Sequence, residues 1–278
     1  MFKTTDETIG NSTVPVLNEK GLPFEFLELV GDDEASLIWV NTAKTYYIQG
    51  KSGVNKYLKI QEAGHAESLE RQAQRLLWLY NKLPVPEVID FGMIGNYEYL
   101  LTLELPGVQA SDKQYSSNTE EIISLLAQGL RRIHAVSIED CPFDHSFEQL
   151  MSTIQYKLSR GIKFDSTELH RKFGEDNVEK LLLEVNNYSR ELKEDLVFTH
   201  GDYSLPNIII ANNSISGFID LGNCGIADRY YDLAVAEKSI IRNFGEQWVK
   251  LFFSSYGVSE IDYAKIKFYQ VVEHLVWT

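Results

Sequence analysis

The sequence contains few cysteines and no long apolar run. Its two cysteines, Cys141 and Cys224, are too few for the disulfide framework of a small secreted protein, and they fit a reducing compartment. The first 13 residues, MFKTTDETIGNST, have no apolar core of the kind found in a signal peptide. No apolar stretch approaches the ~20 residues that a membrane-spanning helix needs. The sequence therefore predicts a soluble, cytoplasmic protein.

Positive charge is also scarce. The chain has 26 Lys and Arg against 40 Asp and Glu, which gives a net charge of −14. This balance argues against nucleic acid as a partner and favours a cationic small-molecule ligand. The 44% hydrophobic and 12% aromatic content is that of a globular protein, so extensive disorder is not expected. With 278 residues, the chain is long enough for two lobes, and a monomer is the default expectation.

The most informative stretch is a predicted β-hairpin with polar residues at its ends. Two apolar segments, residues 207–211 and 215–219, are separated by the turn formers Asn212 and Asn213. Asn207 begins the first segment and Asp220 directly follows the second. Because a hairpin brings its outer ends together, we expect these two side chains to lie close to each other.

Asp202 lies in the loop that leads into this hairpin, so we expect it at the same end. Two carboxylates and one carboxamide in this arrangement suit Mg²⁺, which takes oxygen ligands and usually accompanies substrate phosphates. The alternative is a buried histidine and two turn aspartates that border an ordinary hairpin. That alternative does not explain why all three polar positions converge.

The same residues resemble a known signature. His200-Gly201-Asp202, Asn207 five residues later and Asp220-Leu221-Gly222 resemble the H-G-D-x-x-x-x-N … D-x-G pattern of the aminoglycoside phosphotransferases, which are relatives of the protein kinases. The continuation GIADRYYDLA, residues 225–234, is similar to the 3′-phosphotransferase (kanamycin kinase) branch. The resemblance runs from about Tyr57 to Gln270.

This resemblance implies an α+β, two-lobed, protein-kinase-like fold. The N-terminal lobe, residues 1–104, is expected to hold an antiparallel sheet and one helix and to bind the nucleotide. The C-terminal lobe, residues 105–278, is expected to be mainly helical, with catalytic β-hairpins, and the hinge to fall at about residues 103–107. The implied activity is transfer of the γ-phosphate to a small-molecule hydroxyl, most simply the 3′-hydroxyl of an aminoglycoside, so that the chain would confer antibiotic resistance.

The resemblance also implies roles for individual residues. Asp202 would orient the acceptor hydroxyl and accept its proton late, while Asn207 and Asp220 would hold Mg²⁺. Lys59 would contact the α- and β-phosphates, with Glu70 as its ion-pair partner.

Four further residues would contact the nucleotide. Tyr57 would stack on adenine, the Leu103 carbonyl and Leu105 amide would hydrogen-bond it, and Thr42 lies in the loop expected to cover the phosphates. The expected cofactors are Mg²⁺ and ATP or GTP, since recognition through backbone atoms does not discriminate between the two nucleotides.

The predicted acceptor side departs from the family pattern. Where the 3′-branch has an acidic pair near its C-terminus, this chain has Glu273 and His274. Where it has a second acidic pair after the DLA motif, this chain has Arg242 and Asn243. Fewer acids weaken binding of a polycation, so a kinase for another antibiotic, a sugar or an amino alcohol is an alternative. A non-catalytic nucleotide-binding protein is a third possibility, although it would not need Asp202.

Two more polar residues have structural interpretations. Asp232 is expected to brace the catalytic loop by accepting hydrogen bonds from it, and His134 to be a packing residue at a helix end. Periodicity predicts the remaining elements. The predicted strands cover residues 24–30, 45–49, 56–60, 88–91 and 97–104; the predicted helices cover residues 66–82, 119–136, 145–160, 176–193, 231–242, 246–256 and 261–277.

Overall fold

A computed structural model describes residues 22–65 and 68–277. The chain divides into two units: the first comprises Met1–Leu69 and Ile89–Glu104, and the second comprises Glu70–Val88 and Leu105–Thr278. The predicted N-terminal lobe and the first unit both end at Glu104. They differ in residues 70–88, which belong to the second unit.

The first unit is built on a five-stranded sheet with the order β1-β2-β3-β5-β4. The pairs β1–β2, β2–β3 and β3–β5 are antiparallel. A short 3-10 turn, Phe24–Phe26, and helix α1, Leu27–Val30, precede the sheet. The strands are β1 (Glu34–Val40), β2 (Lys44–Gln49), β3 (Lys56–Glu62), β4 (Val88–Ile94) and β5 (Tyr97–Leu103).

Strand β3 shows how the sheet sorts its side chains. Leu58 and Ile60 point into a core that Phe26 and Val30 also enter. Because side chains alternate along a strand, Tyr57 and Lys59 lie on the opposite face. The first unit therefore presents these two predicted nucleotide contacts side by side, on the face away from its core.

In the first unit, one sequence prediction is wrong and one strand was not predicted. Residues 24–30 form helical turns rather than a strand, because Phe26 and Val30 are four residues apart and both are buried on one face. Strand β1 was not predicted, because Ala35 is its only buried residue and the rest lack an alternating pattern.

The second unit is mainly helical and carries two small sheets. One sheet has the order β6-β8-β9 and the other pairs β7 with β10. Its longer elements are α2 (Leu69–Leu79), β6 (Val108–Gln109), α3 (Thr119–His134), α4 (Phe147–Ser159), α5 (Ser166–Phe173), α6 (Val178–Ser189), β7 (Leu196–Thr199), β8 (Ile208–Ala211), β9 (Ser214–Phe218), β10 (Gly225–Asp228), α7 (Arg229–Asn243), α8 (Val249–Tyr256) and α9 (Tyr263–Trp277).

Helices α3, α7 and α9 supply much of the core of the second unit. Helix α3 buries Ile122, Leu126 and Leu130 at helical spacing. Acidic residues in its first turn interact favourably with the helix dipole and so stabilise the helix. Helix α5 was not predicted, since its charge-rich sequence buries only Leu169. The α+β kinase-like fold class is confirmed. Among the described residues, no helix combines the length and apolarity needed to cross a bilayer.

Candidate active site

The hairpin β8–β9 positions two of the predicted site residues, Asn207 and Asp220, at the end opposite its turn. Asn212 and Asn213 adopt positive φ values of 50° and 57°, as the tight two-residue turn requires. At the other end of the hairpin, the Ile219 amide donates a hydrogen bond to the Asn207 carbonyl, with an N···O distance of 2.9 Å. The chain therefore brings Asn207 next to the residue that precedes Asp220.

Asp202 is held at this end by its own loop. The side-chain amide nitrogen of Asn207, Nδ2, donates hydrogen bonds to the Asp202 carboxylate at 2.8 Å and to the Asp202 backbone carbonyl at 3.1 Å. The Asp202 carbonyl also accepts from the Ser204 amide at 2.8 Å. These bonds fix the half-buried carboxylate before any ligand binds.

Burial raises the pKa of the Asp202 carboxyl above its ordinary value, and the nearby charge of Asp220 raises it further. The charge of His200 and the hydrogen bonds from Asn207 and Ser204 act in the opposite direction. A raised pKa strengthens a carboxylate as a proton acceptor, while the opposing groups favour its ionised form.

Asp220 has an unusual backbone conformation. Its φ is +59°, in the left-handed region that few residues other than glycine adopt, and its side chain is exposed. The buried Leu221 anchors the turn, and its carbonyl accepts a hydrogen bond from the Cys224 amide at 3.3 Å. Strained backbone of this kind is concentrated at functional sites, where the surrounding structure imposes it.

The predicted brace at Asp232 is confirmed. This fully buried carboxylate accepts hydrogen bonds from the backbone amides of His200, at 2.6 Å, and Gly201, at 3.0 Å. His134 is packed at the end of α3, as the sequence predicts, with its ring 5.6 Å from the Tyr256 ring, and it also has polar partners. Its Nε2 lies 3.1 Å from the Asp232 carboxylate and its Nδ1 lies 2.7 Å from the Tyr256 hydroxyl.

The pKa of the Asp232 carboxyl is set by its partners more than by its burial. Burial alone would raise the pKa of the Asp232 carboxyl, but the hydrogen bond and charge of His134, together with those of His200, lower it overall. Asp232 is therefore an ionised anchor for the catalytic loop.

In the first unit, Tyr57 is the predicted nucleotide contact that is influenced by Glu104. The Tyr57 and Tyr47 rings lie with centroids 5.4 Å apart. The Asn55 side-chain amide nitrogen donates a hydrogen bond to the Glu104 carboxylate at 2.7 Å. Burial, followed by the Glu104 charge, raises the pKa of Tyr57 to about 12.

The other predicted nucleotide residues are more scattered. Lys59 is half-buried in β3, Leu103 ends β5, and Thr42 is exposed in the turn between β1 and β2. Leu105, one residue beyond the first unit, packs where a Cβ on Gly217 would collide with it.

Helix α2 places Glu70 and Gln72 on different faces. Glu70, the predicted partner of Lys59, is exposed and accepts a hydrogen bond from the Gln74 side chain at 3.4 Å. Gln72 is buried, and its Cδ is the nearest heavy atom, at 4.0 Å, to a Cβ built on Gly222 of the Asp220-Leu221-Gly222 turn. Gln72 therefore lies beside this turn. Its position there was not predicted from the sequence. Helical periodicity could have indicated its buried position.

The predicted acceptor residues differ in exposure and partners. The Glu273 carboxylate forms a 2.6 Å ion pair with the Lys238 ammonium. Arg242 is exposed, and the Asn243 side chain donates back into its own helix, to the Ser239 carbonyl, at 2.8 Å.

His274 is a packed residue in this structure. It is 4% exposed, its ring lies 5.4 Å from the Phe173 ring, and its Nδ1 lies 3.1 Å from the Lys172 ammonium. Burial first, and then the charge of Lys172, lower the pKa of His274 to about 4. His274 is thus neutral at pH 7.

An antiparallel sheet unit and a mainly helical unit, with Asp202 and Asn207 at the open end of one hairpin, are the features of a kinase-like fold. The family comparison gives a more specific result. The model of the phosphotransferase enzyme family matches residues 37–269, and this chain belongs to that family. The predicted resemblance is confirmed.

Individual relatives cover nearly the whole chain. The chain is 32% identical to an aminoglycoside 3′-phosphotransferase of Niallia circulans, over 89% of this chain and 94% of the relative. It is 35% identical to an aminoglycoside 3′-phosphotransferase of Enterococcus faecalis, over 85% of this chain and 90% of the relative.

Solved structures show the same relationship. An aminoglycoside phosphotransferase from Streptomyces rimosus matches with a TM-score of 0.78 and 26% identity, over 91% of this chain and 97% of that chain. An aminoglycoside 3′-phosphotransferase of type VIII matches with a TM-score of 0.74 and 27% identity, over 87% of this chain and 93% of that chain.

Proposed function

We propose that this enzyme transfers the γ-phosphate of ATP, or of GTP, to the 3′-hydroxyl of an aminoglycoside. The arrangement of Asp202, Asn207 and Asp220 at the open end of one hairpin, opposite its turn, carries this proposal. The acceptor class is supported by relatives that bear the name aminoglycoside 3′-phosphotransferase. The nucleotide is supported by the Streptomyces rimosus enzyme, which has been solved with ADP and streptomycin.

Asp202 acts on the acceptor. Its carboxylate is fixed by Asn207 and accepts a hydrogen bond from the attacking hydroxyl, which orients the oxygen toward the phosphorus. As the new P–O bond forms and the bond to the leaving diphosphate breaks, the hydroxyl proton passes to Asp202. Phosphoryl transfer depends mainly on positioning and charge neutralisation, so this small set of groups is sufficient.

The donor set at Asn207 and Asp220 fits Mg²⁺. The Asn207 amide nitrogen is committed to Asp202, which leaves the amide oxygen, Oδ1, as the atom for a cation. Among the described residues, no group of three or more His, Cys, Asp or Glu side chains is placed to hold a metal ion. A carboxamide and a carboxylate are a suitable set for a hard cation that keeps several waters. When bound, Mg²⁺ neutralises charge on the transferred phosphate.

Most of the proposed nucleotide contacts lie in the first unit. Lys59 binds the α- and β-phosphates and Tyr57 stacks on adenine, since the two share the face of β3 opposite the core. Thr42 lies at the phosphates, and the Leu103 carbonyl and Leu105 amide bind the base. Glu70 remains the proposed partner of Lys59.

The test is a coupled ADP-release assay with ATP and Mg²⁺ and three acceptors. Kanamycin has a 3′-hydroxyl, tobramycin lacks it, and streptomycin tests the acceptor seen with the Streptomyces rimosus relative. We expect turnover with kanamycin and none with tobramycin. Equal turnover with both would exclude transfer to the 3′-hydroxyl, and turnover with streptomycin alone would assign a different acceptor.

A second candidate function is phosphorylation of a less cationic hydroxylated molecule, such as a sugar or an amino alcohol. It is favoured by the acceptor side, where Glu273 is paired with Lys238 and His274 is buried and neutral. Turnover with none of the three aminoglycosides, in an enzyme that binds Mg-ATP, would favour this second function.

A further inference from the structure

The ion pair between Lys238 and Glu273 joins two helices of the second unit. Lys238 lies on α7, Glu273 lies on α9, and these helices pack against each other. The distance between Nζ and the carboxylate oxygen is 2.6 Å. The glutamate side chain is 16% exposed and the lysine side chain is 45% exposed. The carboxylate is thus the inner member of the pair and the ammonium is the outer one.

The helices that carry the pair are tied to each other and to the loop that holds Asp202. The residue after Lys238, Ser239, accepts a hydrogen bond from the Leu205 backbone amide at 3.0 Å, which ties α7 to that loop. The buried Tyr231 hydroxyl, at the start of α7, accepts a hydrogen bond from the Trp277 indole at 3.3 Å. Trp277 lies one helical turn beyond Glu273 on α9, so this bond holds the Glu273 end of α9 against α7.

Two other titratable residues on these helices, Glu237 and His274, already have partners. The buried Glu237 accepts a hydrogen bond from the Gln270 amide at 2.8 Å, and its pKa is raised by burial. His274 is buried beside Lys172, which is itself paired with Glu168 at 2.7 Å. Among the predicted acceptor residues, Glu273 is the carboxylate that could receive an ammonium group.

An acceptor ammonium must displace Lys238 to reach Glu273. Because Lys238 is tethered to the same fold, its effective concentration at Glu273 is on the order of millimolar or higher. A free acceptor at micromolar concentration competes poorly with such a group. An acceptor that carries no ammonium group at this position does not compete with Lys238, so its affinity is not reduced by the ion pair.

From this geometry, and resting on the proposed function, we infer that Lys238 is a specificity-determining residue. Its ammonium stands in for an acceptor ammonium at Glu273, so the enzyme selects acceptors with fewer positive charges on that side. The same residue limits the affinity for the most cationic aminoglycosides.

The decisive experiment compares KM for kanamycin in the wild type and in Lys238→Met, with Lys238→Gln as a second variant. Freeing Glu273 should lower KM about five-fold, the magnitude of one partly exposed charge pair. Lys238→Arg, which keeps the charge, should retain the wild-type KM. The double variant Lys238→Met/Glu273→Gln should lose the gain.

Lys250→Met is the matched control. Lys250 is exposed on α8, and its replacement removes the same unit of net charge without touching the pair. KM for kanamycin should stay within two-fold of wild type, which separates local pairing from long-range steering.

The two proposals fail differently. A kanamycin KM that is unchanged or higher in both Lys238→Met and Lys238→Gln, while the wild type turns kanamycin over, would overturn the role of Lys238 alone. Absence of turnover with any aminoglycoside, in the wild type and in both variants, would overturn the proposed function and the role of Lys238 with it.

Discussion

The catalytic loop and the acceptor side of the second unit are built from different kinds of contact. In the loop, Asp202 is fixed by Asn207, only five residues away, and the hairpin turn sets the position of Asp220. On the acceptor side, Glu273 is paired with Lys238, 35 residues away, and His274 with Lys172, 102 residues away. Local spacing thus positions the proposed catalytic groups, whereas packing between distant helices sets the charge at the proposed acceptor residues.

The largest difference should appear when Asp202 is changed. Asp202→Asn keeps the size of the side chain but removes the proton acceptor, so we expect kcat to fall by about 10²–10⁴-fold. Steady-state kinetics with kanamycin would measure the loss, and circular dichroism would verify folding. Asp140→Asn, the same change at an exposed position, is the control and should retain activity. More than about a tenth of the wild-type rate in Asp202→Asn would refute the role of Asp202.

The next largest effect is expected from substitution of Asp232, and it should appear in the free energy of unfolding. Asp232→Asn removes a buried charge that accepts bonds from two amides and His134, so we expect a loss of about 3–5 kcal/mol in the free energy of unfolding. His134→Leu leaves the two amide bonds in place and should cost about 1–3 kcal/mol. Urea denaturation measures both losses. Equal losses in the two variants would contradict the expectation that Asp232 contributes more stability than His134.

Acid should reveal the same brace. The pKa of Asp232 is lower in the folded chain than in the unfolded chain, so its contribution is present above the ordinary Asp value near 3.9. The contribution is lost as pH falls through the folded value. Asp232→Asn should therefore be less sensitive to acid in that range than the wild type is.

The acceptor side should respond at a different pH. The pKa of His274 is lowered to about 4 in the folded chain, whereas an unfolded histidine titrates near 6.5. Between these values the unfolded chain binds more protons, so stability should fall as pH drops from about 6.5 to about 4.

We expect this effect to be on the order of 2 kcal/mol, since a pKa unit corresponds to about 1.4 kcal/mol and the site is not completely shielded from solvent. Urea denaturation of His274→Asn over this pH range should show a flatter profile than the wild type. His170→Asn, at another histidine of the same unit, is the control. Identical profiles for the wild type and His274→Asn would show that His274 does not titrate as described.

Sequence reasoning succeeded where contacts are local. The spacing from Asp202 to Asn207 and the Asn212-Asn213 turn were sufficient to predict that the polar ends of the hairpin meet. The partners of His134 could not be predicted, because Asp232 lies 98 residues away in the chain. Sequence reasoning also failed at strand β1, whose mostly exposed side chains give no periodic signal.

The acceptor side shows the same limit. Substitution of an acid by His274 was visible in the sequence, but its burial beside Lys172 was not. The sequence also gave no sign that Lys238 would neutralise Glu273, because the two residues meet only through the packing of α7 and α9.

The most direct test of the central claim is to follow the phosphate itself. Purified enzyme, Mg²⁺ and ATP labelled at the γ-phosphate are incubated with kanamycin, and the products are separated and identified by mass spectrometry. We predict a singly phosphorylated kanamycin that carries the label, formed by the wild type and not by Asp202→Asn. Label released only as inorganic phosphate, or equal product from both proteins, would contradict the assignment of this site to aminoglycoside phosphorylation.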